Sequence, residues 1–255
     1  MTTLAVILTA VSFLAGFIDS IAGGGGLLLI PSLLFAGLSP QTALGTNKFA
    51  ATIGTSFALF NFARSKKVVW RIVAVGIVFS LLGAFIGSKT ILYFDNETVG
   101  KIIVFLLPLA MLGTLLPRKE RVPVEELSTR DLNIKVPLIC FLIGFYDGFF
   151  GPGTGSFLIM AFYLLVGLDL VQASATTKVF NLASCLGALI VFLIEDKVII
   201  LLGLPLAIGN ILGNYLGSTL AIKKGTNVVR IFLIISFIIL FITLLWKYFF
   251  TVPVS

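Results

Sequence analysis

Apolar residues fill this chain in ten long blocks, five in each half, separated by short polar loops. In the first half the blocks cover residues 3–21, 26–37, 41–63, 68–91 and 98–116. In the second they cover 136–150, 154–168, 171–193, 198–221 and 227–250. A helix that crosses a hydrocarbon layer of ~30 Å needs about 20 residues at ~1.5 Å each. Blocks 26–37 and 154–168 are too short for that. Residues 26–37 make only ~18 Å of helix, so each short block starts at membrane depth, from the glycine run just before it. The pattern predicts an all-α, polytopic membrane protein in which the first two blocks of each half form a glycine-broken helical hairpin.

The two halves repeat each other. Gly16-Phe17-Ile18-Asp19 leads into Gly23-Gly24-Gly25-Gly26, and Gly144-Phe145-Tyr146-Asp147 leads into Gly151-Pro152-Gly153-Thr154-Gly155. Further on, Thr46 matches Thr176, Lys48 matches Lys178, Leu82-Gly83 matches Leu212-Gly213, and Gly87-Ser88 matches Gly217-Ser218. The first membrane repeat is therefore 1–116 and the second 136–255. Between them, residues 117–135 hold nine charges and two prolines, which reads as a charged linker.

Composition supports a membrane setting. The chain is 58% hydrophobic and 11% charged, where soluble domains carry about 25% charge. The net charge of +7 reflects lysines and arginines on cytoplasmic loops more simply than it does nucleic acid. The absence of histidine excludes histidine-based catalysis, metal binding and pH sensing. Cys140 and Cys185 fall inside apolar blocks and read as core thiols, so neither a metal nor another cofactor is expected. No leader is expected at the N-terminus, whose first apolar run reads as a retained span.

Loop charge sets the orientation. Arg64, Lys66, Lys67 and Arg71 put loop 64–71 in the cytoplasm, whereas its counterpart 194–197 carries Glu195 and Asp196 against Lys197 and belongs outside. Loop 89–101 is balanced, and its counterpart 222–230 carries Lys223, Lys224 and Arg230. Equivalent loops thus face opposite sides, which predicts two inverted five-segment repeats with both termini outside and the linker inside.

Four ionisable residues lie deep within the apolar blocks: Asp19, Lys48, Asp147 and Lys178. Such residues are costly in a membrane and mark function by default. Lys48 lies ~12 Å into its helix and the glycine tip ~18 Å from the same side, a gap that a lysine side chain spans. Each half then offers an acid, a helix N-terminus and a lysine at one level. Exposed N–H groups at a helix N-terminus bind anions, and a lysine adds a full charge. The candidate substrate site comprises Gly23, Gly24, Gly25, Gly26, Thr46, Asn47 and Lys48 from one half. The other half adds Gly153, Thr154, Gly155, Thr176, Thr177, Lys178 and Asn181, and Ser20 is a further polar neighbour. Asp19 and Asp147 are expected to carry proton coupling or to form ion pairs, Asp19 with Lys48 and Asp147 with Lys178. Plainer readings stand beside this: glycines for close helix packing, purely structural ion pairs, and lysines that snorkel to the surface.

At these residues the chain resembles the TauE/SafE family, the sulfite exporter or four-toluene sulfonate uptake permease family. The resemblance runs from Gly16 to Gly26, through Pro31 to Gly45-Thr46-Asn47-Lys48, and again from Gly144 to Gly155 and through Thr176-Thr177-Lys178 to Asn181. It implies a secondary transporter of small sulfur-containing or organic anions in the cell membrane, driven by the proton gradient. The second half departs from the pattern at Pro152, Thr154 and Thr177. Two other classes remain open: an anion channel, and an intramembrane aspartyl hydrolase using Asp19 and Asp147. The expected partners are a small anion and the lipid bilayer, with no nucleic acid, and the oligomeric state is left open.

Overall fold

The computed structural model describes residues 2–99, 129–225 and 231. Most of the predicted blocks 98–116 and 227–250, and the linker up to residue 128, lie outside the described residues. All regular structure among the described residues is helical. In chain order the helices are α1 (Thr2–Ala22), α2 (Gly26–Phe35), α3 (Pro40–Arg64), α4 (Trp70–Leu92), α5 (Thr129–Phe149), α6 (Thr154–Ala161), α7 (Leu170–Ile194) and α8 (Ile200–Lys224). A π-helical turn, Phe162–Val166, extends α6. Helix α5 starts seven residues before the apolar block at 136.

Five of these helices, α1, α4, α5, α7 and α8, are long and apolar enough to cross a bilayer. Helix α3 is as long, at 25 residues, but more polar. Helices α2 and α6 have 10 and 8 residues. Local signals fix several ends. Pro40 opens α3, where a missing N–H costs nothing. Asp169 caps α7 by accepting from Val171 N–H at 2.8 Å and Gln172 N–H at 3.0 Å.

The chain is non-helical at residues 23–25 and at 150–153, as expected for the glycine breaks. After the first break it turns back along α1. Leu29 and Leu33 of α2 share a buried cluster with Leu8 and Ala15 of α1. After the second, Leu158, Phe162 and Val166 pack with Val136 and Cys140 of α5. Each pair is therefore a helical hairpin.

Helix packing crosses between the halves. Helix α1 lies along α8, and α5 lies along α4. The glycines repeated in the sequence make both seams. A methyl on Gly213 would sit 2.0 Å from Phe13 O, and one on Gly83 would sit 2.3 Å from Phe141 O. One turn on, Gly217 would meet Phe17 O at 2.4 Å and Gly87 would meet Phe145 O at 2.1 Å. Small residues let helix backbones approach this closely in lipid, where no hydrophobic force drives helices together. Both seams join parallel helices. In contrast, α3 and α7 run antiparallel: Gly45, near the start of α3, packs against Phe192 and Lys197 at the end of α7. The connecting turns match too, with left-handed residues at Lys66 (φ 56°) and Asp196 (φ 52°).

Gly23 has φ +78°, and a methyl there would lie 2.2 Å from Gly155 C. Gly23→Ala is expected to lower stability by at least about 2 kcal/mol, from left-handed strain plus the clash. Gly37→Ala, at φ +90° with nothing within 4 Å, carries only the strain of about 1 kcal/mol. Thermal melting of the purified variants in detergent checks the order. Equal losses at the two positions would contradict a close crossing of the breaks.

Candidate functional site

The two glycine breaks form one locus. Ser156 N–H donates to Gly23 O at 3.3 Å, and Ser156 Oγ donates to Ala22 O at 2.6 Å. Gly151 (φ +95°) and Gly153 (φ +81°) make the second bend, which Tyr146 braces by donating from its hydroxyl to Pro152 O at 2.7 Å. The hairpin tip from one half thus rests on the tip from the other.

Two ion pairs flank this crossing, and their partners differ from the sequence expectation. Lys48 pairs with Asp147, Nζ to Oδ1, at 2.7 Å. Lys178 pairs with Asp19, Nζ to Oδ2, at 3.0 Å, and also donates to the Asp19 carbonyl. The expected pairing within each half is corrected to a crossed one. Helical rise gives depth in the membrane but not direction around the axis. Because α1 lies along α8 and α5 along α4, each aspartate stands nearer the other half's lysine. The pairs are dry, but unequally so. The Lys48 and Asp147 side chains are 3% and 2% exposed, whereas Lys178 is 0% and Asp19 15% exposed.

Backbone from each break touches its pair. Gly25 N–H donates to Asp19 Oδ1 at 3.3 Å, so the carboxylate of Asp19 stands where an anion is expected at the start of α2. A methyl on Gly151 would lie 3.2 Å from Lys48 Nζ and 3.5 Å from Asp147 Oδ1. Donors at the start of α6 are engaged in this conformation. Thr154 N–H and hydroxyl both donate to Gly151 O, Ser156 N–H to Gly23 O, and Phe157 N–H to Gly153 O. Gly24 O accepts from Leu27 N–H at 3.0 Å, Gly26 faces Pro152, and Gly155 lies against Gly23.

The remaining candidates divide. Thr46 and Thr176 hold helix ends: Ile199 N–H donates to Thr46 Oγ1 at 3.1 Å, and Val69 N–H to Thr176 Oγ1 at 3.0 Å. These bonds also cross between the halves. Asn47 and Asn181 are 6% and 5% exposed. Thr177 Oγ1 is buried without a hydrogen-bond partner. Ser20 Oγ turns back to Phe17 O at 2.9 Å. Cys185, read from sequence only as core, lies 3.9 Å from Asp147 Oδ2 and within electrostatic reach of all four charges. Only the crossed packing reveals that, since nothing in its apolar sequence neighbourhood marks it. Among the described residues no cluster of side chains could hold a metal ion.

A family model described as sulfite exporter TauE/SafE matches residues 8–244. The chain is 37% identical over 231 residues to the probable membrane transporter protein YfcA of Escherichia coli (strain K12), covering 90% of this chain and 85% of that one. It is 38% identical over 235 residues to the probable membrane transporter protein ORF9 of Sinorhizobium sp, covering 92% and 89%. At 25% identity over 267 residues it also matches the probable membrane transporter protein YunE of Bacillus subtilis (strain 168), covering 95% and 97%.

Crossed pairing has its own mutational signature. Lys48→Met leaves Asp147 buried and alone, and should destabilise the protein by about 3–5 kcal/mol. Adding Asp147→Asn should recover most of that loss, and adding Asp19→Asn should not. Melting temperatures of the two double variants decide the matter, and rescue by Asp19→Asn alone would restore the pairing within halves.

Proposed function

Since this chain belongs to the sulfite exporter TauE/SafE family of membrane transporters, we propose that it moves a small sulfur-containing or organic anion, such as sulfite or a sulfonate. It does so with a proton, by alternating access. It is a multi-pass protein of a cell membrane, and its relatives are named as transporters, not as enzymes.

The observation that carries the proposal is the pair of buried, crossed ion pairs beside the glycine breaks. With both aspartates ionised, each lysine is already neutralised and an incoming anion gains little. Protonating an aspartate frees its lysine. A buried, unpaired ammonium is unfavourable, and an anion at the same place restores neutrality. The anion also takes over the backbone N–H that the carboxylate held, as Gly25 N–H is held by Asp19. Proton and anion therefore promote each other's binding, and by linkage the effect is mutual.

The same bonds tie the halves together, since each pair has one partner from each. Exchanging a carboxylate for a mobile anion releases a link between halves. The antiparallel course of the equivalent helices α3 and α7, together with opposite charge on equivalent loops, supports an inverted repeat with the linker in the cytoplasm. In such a repeat the two halves exchange conformations and open a central site to either side in turn.

The test is a binding titration of the purified protein. Sulfite, sulfate, thiosulfate, a sulfonate and a small carboxylate are compared by thermal shift and calorimetry. At least one sulfur oxyanion should bind, and Lys178→Met should weaken it by about 1.4 kcal/mol or more, a tenfold loss. Binding that is unchanged in folded Lys178→Met would refute the anion site.

A further inference from the structure

Resting on this transport reading, we infer that Asp19, not Asp147, is the carboxylate that exchanges its proton with water, and that a polar seam through Ser12, Asn210 and Asn214 supplies that water. Ser12, Gly16 and Asp19 follow one another at spacings of four and three residues, so they share one face of α1. Asn210 and Asn214 meet that face from α8. Ser12 Oγ donates to Leu206 O at 2.7 Å. Asn210 Nδ2 donates to Ser12 O at 3.2 Å and to Ser12 Oγ at 3.3 Å. Asn214 Nδ2 donates to Asn210 Oδ1 at 2.8 Å and to Asn210 O at 3.0 Å. The Asn214 amide fits between α1 and α3 because Gly16 and Gly54 lack side chains: a methyl on either would lie 2.9 or 2.8 Å from its Nδ2.

This ladder ends on an unsatisfied oxygen: Asn214 Oδ1 has no hydrogen-bond partner. On α3, Thr55, next to the Gly54 that the Asn214 amide packs against, also has an unpartnered Oγ1. Both residues are 0% exposed. Buried amide and hydroxyl oxygens in native proteins are almost always bonded, and where protein supplies no partner, bound water does. The seam therefore holds water one turn from Asp19.

Among the described residues the other half has no such ladder, although Thr177 Oγ1, next to Lys178 in the chain, is also buried without a partner. The counterparts of Ser12, Asn210, Asn214 and Thr55 are Cys140, Ser80, Ala84 and Cys185. Ser80 Oγ is committed to Phe180 O at 2.8 Å, and Ala84 has no polar side-chain atom. Exposure agrees, at 15% for Asp19 against 2% for Asp147. The groups facing Asp19 are Lys178, in contact, with Lys48 and Cys185 within electrostatic reach. Helices α2 and α6 carry no titratable side chain, and those of α8 are Tyr215, Lys223 and Lys224. A proton arriving by the seam thus loosens the Asp19–Lys178 pair first, while Lys48–Asp147 stays closed.

Infrared spectroscopy of the purified full chain, with no anion added, reads this proton directly. In difference spectra against the wild type, which cancel the chain's nine other acidic side chains, acidification should show a protonated-carboxyl band that Asp19→Asn lacks and Asp147→Asn keeps. In heavy water that band should shift on the order of tenfold more slowly in Asn214→Leu and in Thr55→Val. Thr55→Val exchanges a hydroxyl for a methyl of the same shape, so it keeps the test readable should Asn214→Leu not fold. Loss of the band in Asp147→Asn with retention in Asp19→Asn overturns the inference, as does a difference spectrum in which neither variant loses the band, or an unchanged exchange rate in Thr55→Val. Anion binding alongside a titrating Asp147 would overturn this inference alone. Failure of every anion to bind, with Asp19 titrating, would overturn only the transport reading.

Discussion

Two lysines buried in a membrane protein must each meet a negative charge, and in this protein each meets it on the opposite half. Removing a charge from water costs several kcal/mol, and only a close, well-oriented partner offsets this. Lys48–Asp147 at 2.7 Å and Lys178–Asp19 at 3.0 Å satisfy that condition. Other features follow from the need to bring these four groups together. The first helix of each half must leave its own half and lie along the other, which the glycine seams at Gly83, Gly87, Gly213 and Gly217 permit. The hairpin tips must cross, which Gly23 and Gly155 permit. The helix starts of α8 and α4 are then held by Thr46 and Thr176, again from the opposite half.

This design is stable and yet poised to change. A pair that is both buried and mutual holds the halves in register while its carboxylate is ionised. The same pair becomes a liability when that carboxylate is neutralised, unless another anion replaces it. In the proposed cycle, binding and motion share one set of bonds, and the inequality of the two pairs sets the order in which they open. In that cycle Asp19, 15% exposed and bonded to Gly25 N–H, lets go before Asp147, which is 2% exposed between α3, α5 and α7.

Much of the fold was legible in the sequence because lipid imposes simple rules. Block lengths separated the long helices from the short α2 and α6, and repeated glycines placed the breaks within a residue or two of their observed positions. The charged residues inside the blocks were identified for the same reason, since so few polar groups are tolerated there. The pairing was not legible. Rise per residue fixes depth, but the azimuth of Asp19 depends on which helix α1 packs against, and that contact is made some 200 residues away in the chain, by α8. Likewise Thr46 and Thr176 carry the polarity expected of ligands, yet their hydroxyls accept from backbone N–H groups that only the tertiary fold brings near. Asn210 and Asn214 sit in a block that reads as an ordinary span, and only their meeting with Ser12, Gly16 and Gly54 makes a polar seam.

The central claim is that an anion takes the place of a carboxylate that has accepted a proton. Proton uptake on binding tests it most directly. Calorimetry with thiosulfate or a sulfonate, neither of which titrates near neutral pH, in buffers of different ionisation enthalpy gives the number of protons taken up per anion bound. The account predicts about one, falling to none in Asp19→Asn, by linkage of the two sites. Anion binding with no proton uptake in the wild-type protein would contradict it.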